Sequence, residues 1–285
     1  MQVNRQAGIL GCVETNTIMG VRPCACPAIL QWYQAMSTDV VDLRSFYASP
    51  LGHVARRFIG RAMLRFWDNV GGSRLVGIGY AVPYLTLLRD QTERCLAFMP
   101  ATQGVVNWSS GSGSSSALVD PLLLPLDDAS VDRVLLVHAL ESSENAEELL
   151  AECWRVLAPG GRILLIVPNR RGLWARMDGT PFGHGRPFSR SQLERLMRDT
   201  LFSPENWAEA LFTPPLQRQS ILRSAPMWEK LGAGLGLPFS GVHVIDATKQ
   251  FYRRAPAKSR RAFALRHVLV PMPAPSPSAG RQAQT

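Results

Sequence analysis

The stretch that most limits what this chain can fold into is Leu124–Asn169, LPLDDASVDRVLLVHALESSENAEELLAECWRVLAPGGRILLIVPN. Arg133–Val137 and Arg162–Val167 are nearly continuous apolar runs, as parallel strands covered on both faces require. Between them Ala146, Leu149, Leu150, Cys153, Trp154 and Leu157 recur at steps of three and four, which gathers them on one helical face. Ser143 is placed to cap that helix, and Glu144, Glu147 and Glu148 suit the positive end of its dipole. Pro159-Gly160-Gly161 then stops the helix and turns the chain. Strand, helix and strand of these lengths form a right-handed βαβ unit.

The rest of the chain extends this unit in both directions. Ser49-Pro50 opens an earlier helix, with Ser as cap and Pro in the first turn. Leu51, Val54, Ala55, Phe58, Ile59, Ala62 and Phe66 form its apolar face. Arg57, Arg61 and Arg65 form a solvated basic stripe. Arg74–Ile78 reads as the first core strand. It leads into Gly79-Tyr80-Ala81-Val82-Pro83 and then Tyr84, Leu85, Leu87 and Leu88 at helical spacing. A strand, a tight glycine turn and a helix start form the geometry that cradles a nucleotide-like ligand. Strands are also expected near 94–99, 117–119 and 242–250. Trp108–Ser116 reads as a flexible Gly/Ser insert on the side away from the ligand. Ser189 caps a helix over Arg190–Asp199. Pro204–Pro215 and Met227–Leu231 read as short helical pieces, and Gly232–Gly241 as a glycine-rich connection.

LPL-DD-ASVDRVLL followed by E-RVLAPGGRILLIVPN resembles the second half of a class I S-adenosylmethionine-dependent methyltransferase domain of the small-molecule type. The resemblance spans roughly Leu75 to Phe251. It implies an α/β fold: a doubly wound, mostly parallel seven-stranded sheet with helices on both faces and a final antiparallel hairpin. It further implies S-adenosylmethionine as cofactor, with Gly77, Gly79, Ala81, Met99, Asp120 and Pro121 as the cofactor-binding positions. The family pattern there is an acid, an apolar residue and Gly-x-Gly-x-Gly. This chain has Gly77 in the acidic place, and Gly79, Ala81 and Pro83 in the glycine places. A ribose-binding acid normally stands about 20 residues after the glycine turn; here that place falls at Met99.

His138 and Glu141 follow the fourth strand, at the edge where open α/β sheets bind ligands. His138 is the candidate general base, and Glu141 a candidate substrate contact. The long loop after the next strand carries Arg170, Arg171 and Arg186, which suit a carboxylate or phosphate on a substrate. The alternative is a solvated loop.

The domain reading is an extension over 1–35, a methyltransferase-like domain over 36–252 with a lid or substrate segment near 169–235, and a basic, Pro-rich tail over 253–285. A chain with 46% apolar residues can bury a full core. Its formal charge is +9, with Lys plus Arg 31 and Asp plus Glu 22. Residues 249–285 carry eight of those basic groups and no acid, so the basic character belongs to the tail, expected to be solvated. No nucleic-acid motif accompanies it, and no membrane span is expected. The five cysteines fit a reducing, cytoplasmic setting without disulfides. Cys12, Cys24 and Cys26 lack zinc spacing, so no metal is expected. The sequence thus points to methyl transfer onto a small molecule whose identity it does not give. The alternatives are a non-catalytic methyltransferase-like protein and a dinucleotide-dependent reductase.

Overall fold

The computed structural model describes residues 38–110, 113–236 and 239–252. The extension expected over 1–35 and the tail expected over 253–285 lie outside them. The chain enters through two helices, α1 (Val40–Ala48) and α2 (Pro50–Leu64). Asp39 Oδ1 accepts from the Val41 amide at 2.9 Å, and Ser49 Oγ from the Gly52 amide at 3.1 Å, so each helix start has a side-chain cap. Then follow β1 (Arg74–Gly79), α3 (Val82–Leu85), β2 (Arg94–Pro100) and a short ribbon of β3 (Ser109–Ser110) and β4 (Gly113–Ser114). The second half runs β5 (Ser116–Val119), β6 (Val131–Val137), α4 (Ala146–Val156), β7 (Leu157–Pro168), α5 (Arg190–Asp199), β8 (Phe202–Ala210), α6 (Gln219–Leu235) and β9 (Val242–Lys249).

Seven strands form one sheet in the order β5-β2-β1-β6-β7-β9-β8. The first five are parallel, and β9 runs antiparallel to both of its neighbours, β7 and β8. The apolar strand runs divide between two cores. Leu135, Val137, Leu164 and Ile166 pack with α1 and α2 on one face. Val134, Leu136, Ile163, Leu165 and Val167 pack with Leu149, Cys153, Leu193 and Met197 on the other. This two-sided burial is why the runs do not alternate with polar residues.

The Leu124–Asn169 unit is stitched by Glu152 and Arg155. Glu152 Oε1 accepts from the Leu124 amide at 2.7 Å, and Arg155 donates to the carbonyls of Leu124 and Leu126. Hydrogen bonds from Arg155 hold the Glu152 carboxyl below the usual carboxylate range. The Pro-Gly-Gly turn bulges out of the ladder: Val131 pairs with Leu157, while Arg133, two residues on, pairs with Arg162, five residues on.

Several local expectations are corrected. The cap of α4 is Asn145, whose Oδ1 accepts from the Glu148 amide at 3.3 Å, rather than Ser143. The helix after the glycine turn stops at Leu85 and gives way to a 3-10 turn at Arg89–Gln91. Pro204–Pro215, read as helical, holds most of the edge strand β8. Pro204 is tolerated there because the register shifts between Pro204 and Asn206. The Met227–Leu231 piece belongs to a helix of 17 residues that runs on through Gly232. The Gly/Ser segment folds as the β3–β4 ribbon, with Arg89 over the Trp108 ring at 4.9 Å.

His243 is buried in β9, facing Trp207 at 5.2 Å between ring centroids, and neither ring nitrogen has a hydrogen-bond partner. Glu209 Oε1 stands 3.6 Å away, beyond hydrogen-bonding distance. Burial, with the Arg190 charge adding to it, pushes the imidazole down to about 4. The unfolded chain takes up this proton near pH 6.5. Between pH 6.5 and about 4 the unfolded state therefore binds more protons than the folded one, and stability falls as the pH falls. The loss reaches about 3 kcal/mol at the acid end. Urea titrations from neutral to acid pH check this, and His243→Phe is expected to flatten that part of the profile.

Candidate functional site

The strand order reverses at β1 and β6, which are neighbours whose following segments leave in opposite directions. This is the switch point at which open α/β sheets form a ligand crevice. Gly79 pairs with Val137, so the turn Gly79–Ala81 and the residue His138 emerge side by side. Pairing of Ile78 with Phe98 and of Met99 with Leu118 brings Met99 and Asp120 to the same carboxyl edge.

Gly79 has φ +83°, and a Cβ there would lie 2.1 Å from the Val137 carbonyl oxygen. The turn therefore requires glycine for its own backbone and for the close approach of β6. Gly79→Asp is expected to cost roughly 2–3 kcal/mol of stability through strain and this clash, read from a thermal melt. Ligand loss in that variant follows from the displaced turn, before any charge effect. A Cβ built on Gly77 would lie 2.6 Å from the Ala81 methyl. The methyl of Ala81 thus fills the space beside the position where the related pattern carries an acid.

His138 sits just past β6 with φ +54°, a left-handed conformation uncommon for a non-glycine residue. It is 3% exposed and Glu141 is 2% exposed. Glu141 Oε1 lies 3.1 Å from Nδ1, and the Tyr47 hydroxyl lies 2.9 Å from Nε2. With the carboxylate accepting from Nδ1–H, Nε2 presents its lone pair and accepts from the Tyr47 hydroxyl. Tyr84 continues the chain at 3.1 Å from Tyr47. Burial, reinforced by the Tyr84 hydroxyl, pushes the Tyr47 phenol well above its ordinary value, and burial raises Tyr84 too. Both phenols remain donors across the neutral range. The His138 carbonyl accepts from Gln103 Nε2, which anchors the turn.

Aromatic rings close the site. Tyr80 stacks on Tyr47 with centroids 5.6 Å apart, and Phe182 lies 4.9 Å from the His138 ring. Phe182 is carried by the loop after β7, which also buries Trp174 through a 2.8 Å bond from its Nε1 to the Thr213 carbonyl. Two buried acceptors beside His138 have no partner, Gln103 Oε1 and Glu141 Oε2.

The remaining sequence candidates are more scattered. Met99 is buried, and its sulfur accepts from the Val106 amide at 3.3 Å. Asp120 is exposed and accepts from the Leu122 amide at 2.9 Å, and Pro121 is half-buried beside it. Arg170 and Arg186 line a cavity of about 500 Å³ with Ser143, Glu144 and Phe188. The Glu141 carbonyl accepts from the Arg186 amide at 2.8 Å, which ties this loop to the turn after β6. Arg171 is exposed and outside that lining. Tyr47, Tyr80, Tyr84, Gln103 and Phe182 are absent from the sequence-derived set. The signal for Tyr47 lay in Asp39 followed by Val40, Leu43, Phe46 and Tyr47, a capped amphipathic start. No group of acidic, His and Cys side chains suited to a metal occurs among the described residues.

Residues 70–165 match the profile of the methyltransferase domain family. A demethylmenaquinone methyltransferase of Deinococcus radiodurans is 39% identical over 152 residues, 50% of this chain and 57% of that protein. An S-adenosylmethionine-dependent methyltransferase of Mycolicibacterium smegmatis is 36% identical over 85 residues, 29% of this chain and 33% of that protein. A malonyl-[acyl-carrier protein] O-methyltransferase of Methylococcus capsulatus is 26% identical, over 54% of this chain and 62% of that protein. The chain thus spans between a third and three-fifths of the length of these relatives. Among solved structures, a chain of the complex between the Haloferax volcanii Trm112 methyltransferase activator and a methyltransferase aligns at TM-score 0.55. It is 18% identical and covers 74% of this chain and 98% of its own, a likeness of fold. Residues 70–165 thus match a methyltransferase domain, and the strand order and the switch-point turn agree with that match.

Proposed function

We propose that the chain catalyses methyl transfer from S-adenosylmethionine to a small-molecule acceptor at the carboxyl edge of β1 and β6, with His138 as the proton acceptor. The observation that supports this reading best is the buried Glu141–His138 pair. It is aimed along the switch-point edge and held in a left-handed turn. A buried His in a left-handed backbone, hydrogen-bonded to a carboxylate, matches the demands of a positioned base.

The residues present fit the cofactor in two respects. Gln103 Oε1 and Glu141 Oε2 are unpartnered buried acceptors, suited to an ammonium or hydroxyl donor. The rings of Tyr47, Tyr80 and Phe182 offer aromatic faces to a sulfonium. When bound, the cofactor supplies an electrophilic methyl group on a positively charged sulfur. Gly79 and Ala81 shape the turn against which it would lie, with Gly77 behind them and Met99, Asp120 and Pro121 along the same edge.

His138 accepts the acceptor's proton at Nε2, and Glu141 balances the resulting imidazolium through Nδ1–H. Nε2 is held by Tyr47 in this arrangement, so an acceptor hydroxyl takes the place of the Tyr47 hydroxyl before proton transfer. The aromatic shell excludes water, which favours alignment of methyl, acceptor and base. Arg170 and Arg186 bind a carboxylate or phosphate on the acceptor, while Arg171 adds positive potential from the same loop. The similarity to a demethylmenaquinone methyltransferase and to a malonyl-[acyl-carrier protein] O-methyltransferase supports a small-molecule acceptor.

A second reading is a methyltransferase-like protein that binds without catalysing. The Ala81 methyl against Gly77 and the absence of an acid at 77 and 99 favour it. Calorimetric titration with S-adenosylmethionine, S-adenosylhomocysteine and NAD separates the readings. Binding of the first two, with none of NAD, is expected. Heat from none of them refutes the enzymatic assignment.

A further inference from the structure

We propose that the outward face of α6 is a docking surface for an anionic lipid bilayer. Of its 17 residues only Ala225 and Gly232 are buried. A Cβ at Gly232 would lie 2.1 Å from the Phe212 ring, so the helix lies on the fold by its smallest residues. Its large apolar residues face away. Met227 is 57% exposed, Trp228 41%, Leu231 49% and Leu235 70%, and Phe239 just beyond is 57% exposed.

At 100° per residue the four helical ones occupy an arc of roughly 100°, and Arg223 and Lys230 fall directly beside it. Both cations are exposed, and neither has an ion-pair partner among the described residues. The acid of the helix, Glu229, turns inward and accepts from the Phe212 amide at 2.8 Å. An apolar ridge with a Trp and a flanking row of unpaired cations is the arrangement of a helix lying in a membrane interface.

Charge complementarity decides between occupants. A second copy packed on this face would set Arg223 and Lys230 against their own kind with no acid to offset them. An anionic headgroup layer supplies the missing charge. The face is a ridge rather than a groove, and a fluid layer accepts a ridge without a matching contour.

The test is co-sedimentation of the full chain with vesicles of phosphatidylcholine containing phosphatidylglycerol, and with vesicles of phosphatidylcholine alone. Binding to the anionic vesicles, weaker at high salt, is expected. Leu231→Glu/Leu235→Glu is expected to lower the partition coefficient about tenfold or more. Trp228→Ala, a milder change at an exposed site, lowers it in the same direction. Melts by circular dichroism confirm that both variants fold. Three results overturn the proposal: no vesicle binding by the wild-type chain, binding that neither variant weakens, or a dimer in light scattering that the variants dissolve.

Discussion

Replacing Asp246 with leucine is expected to destabilise the fold by about 3–5 kcal/mol, the largest loss from a residue outside the site. Asp246 lies in β9 with none of its surface exposed. Its Oδ1 accepts from Trp67 Nε1 at 3.0 Å and from Arg162 Nε at 3.1 Å, and its Oδ2 from Asn206 Nδ2 at 2.9 Å and from Arg162 Nη2. One carboxylate thus joins the segment after α2 to β7, β8 and β9. Removing it strands the buried Trp67 indole N–H and the half-buried Arg162 guanidinium, and Arg162 loses the bond that chiefly raises its pKa. Glu205, 3.0 Å from Arg162, recovers part of the charge balance. Urea unfolding measures the loss. Adding Arg162→Met is expected to restore part of the stability, because the single change leaves a charge uncompensated. A melt within 1 kcal/mol of wild type would show that the cluster contributes little, on the scale of ordinary surface changes.

The second large effect is catalytic. His138→Asn is expected to lower the rate of methyl transfer by about 10²–10⁴-fold, with cofactor affinity retained. Asparagine tolerates the left-handed backbone at 138 and remains polar, so the turn survives while the base is removed. Transfer of labelled methyl to a panel of phenols, carboxylic acids and thioesters gives the rate, and calorimetry with S-adenosylhomocysteine reports binding. Glu141→Gln keeps the contact to Nδ1 and removes the balancing charge, so a smaller loss in kcat is expected. Equal rates for His138→Asn and wild type would assign His138 to positioning alone.

These two residues mark opposite ends of what the sequence discloses. His138 was legible because an apolar strand pattern ends there, and the carboxyl ends of such strands meet ligands. Asp246 was not legible, since its partners stand in three other segments and no local period relates them. The same divide holds across the fold. The β6–α4–β7 unit was legible from periodicity and its Pro-Gly-Gly stop. The edge strand β8 was not, because Pro204 and its charged neighbours carry no strand pattern. Its pairing with β9 is a tertiary decision. The α4 cap moved from Ser143 to Asn145 because both side chains cap well and packing chose the register.

The amino-acid sequence by itself determined the sheet's parallel core, the helices on its two faces and the carboxyl edge at which such sheets bind ligands. Local periodicity and steric punctuation suffice for those, as they need only neighbours along the chain. The tertiary structure alone decided that Tyr47 from α1 occupies the lone pair of His138, that the Ala81 methyl lies against Gly77, and that Gln103 and Glu141 keep unpaired oxygens. Each of these depends on distances between segments far apart in sequence, which are set when the two cores close and every buried polar atom must find its partner or go without.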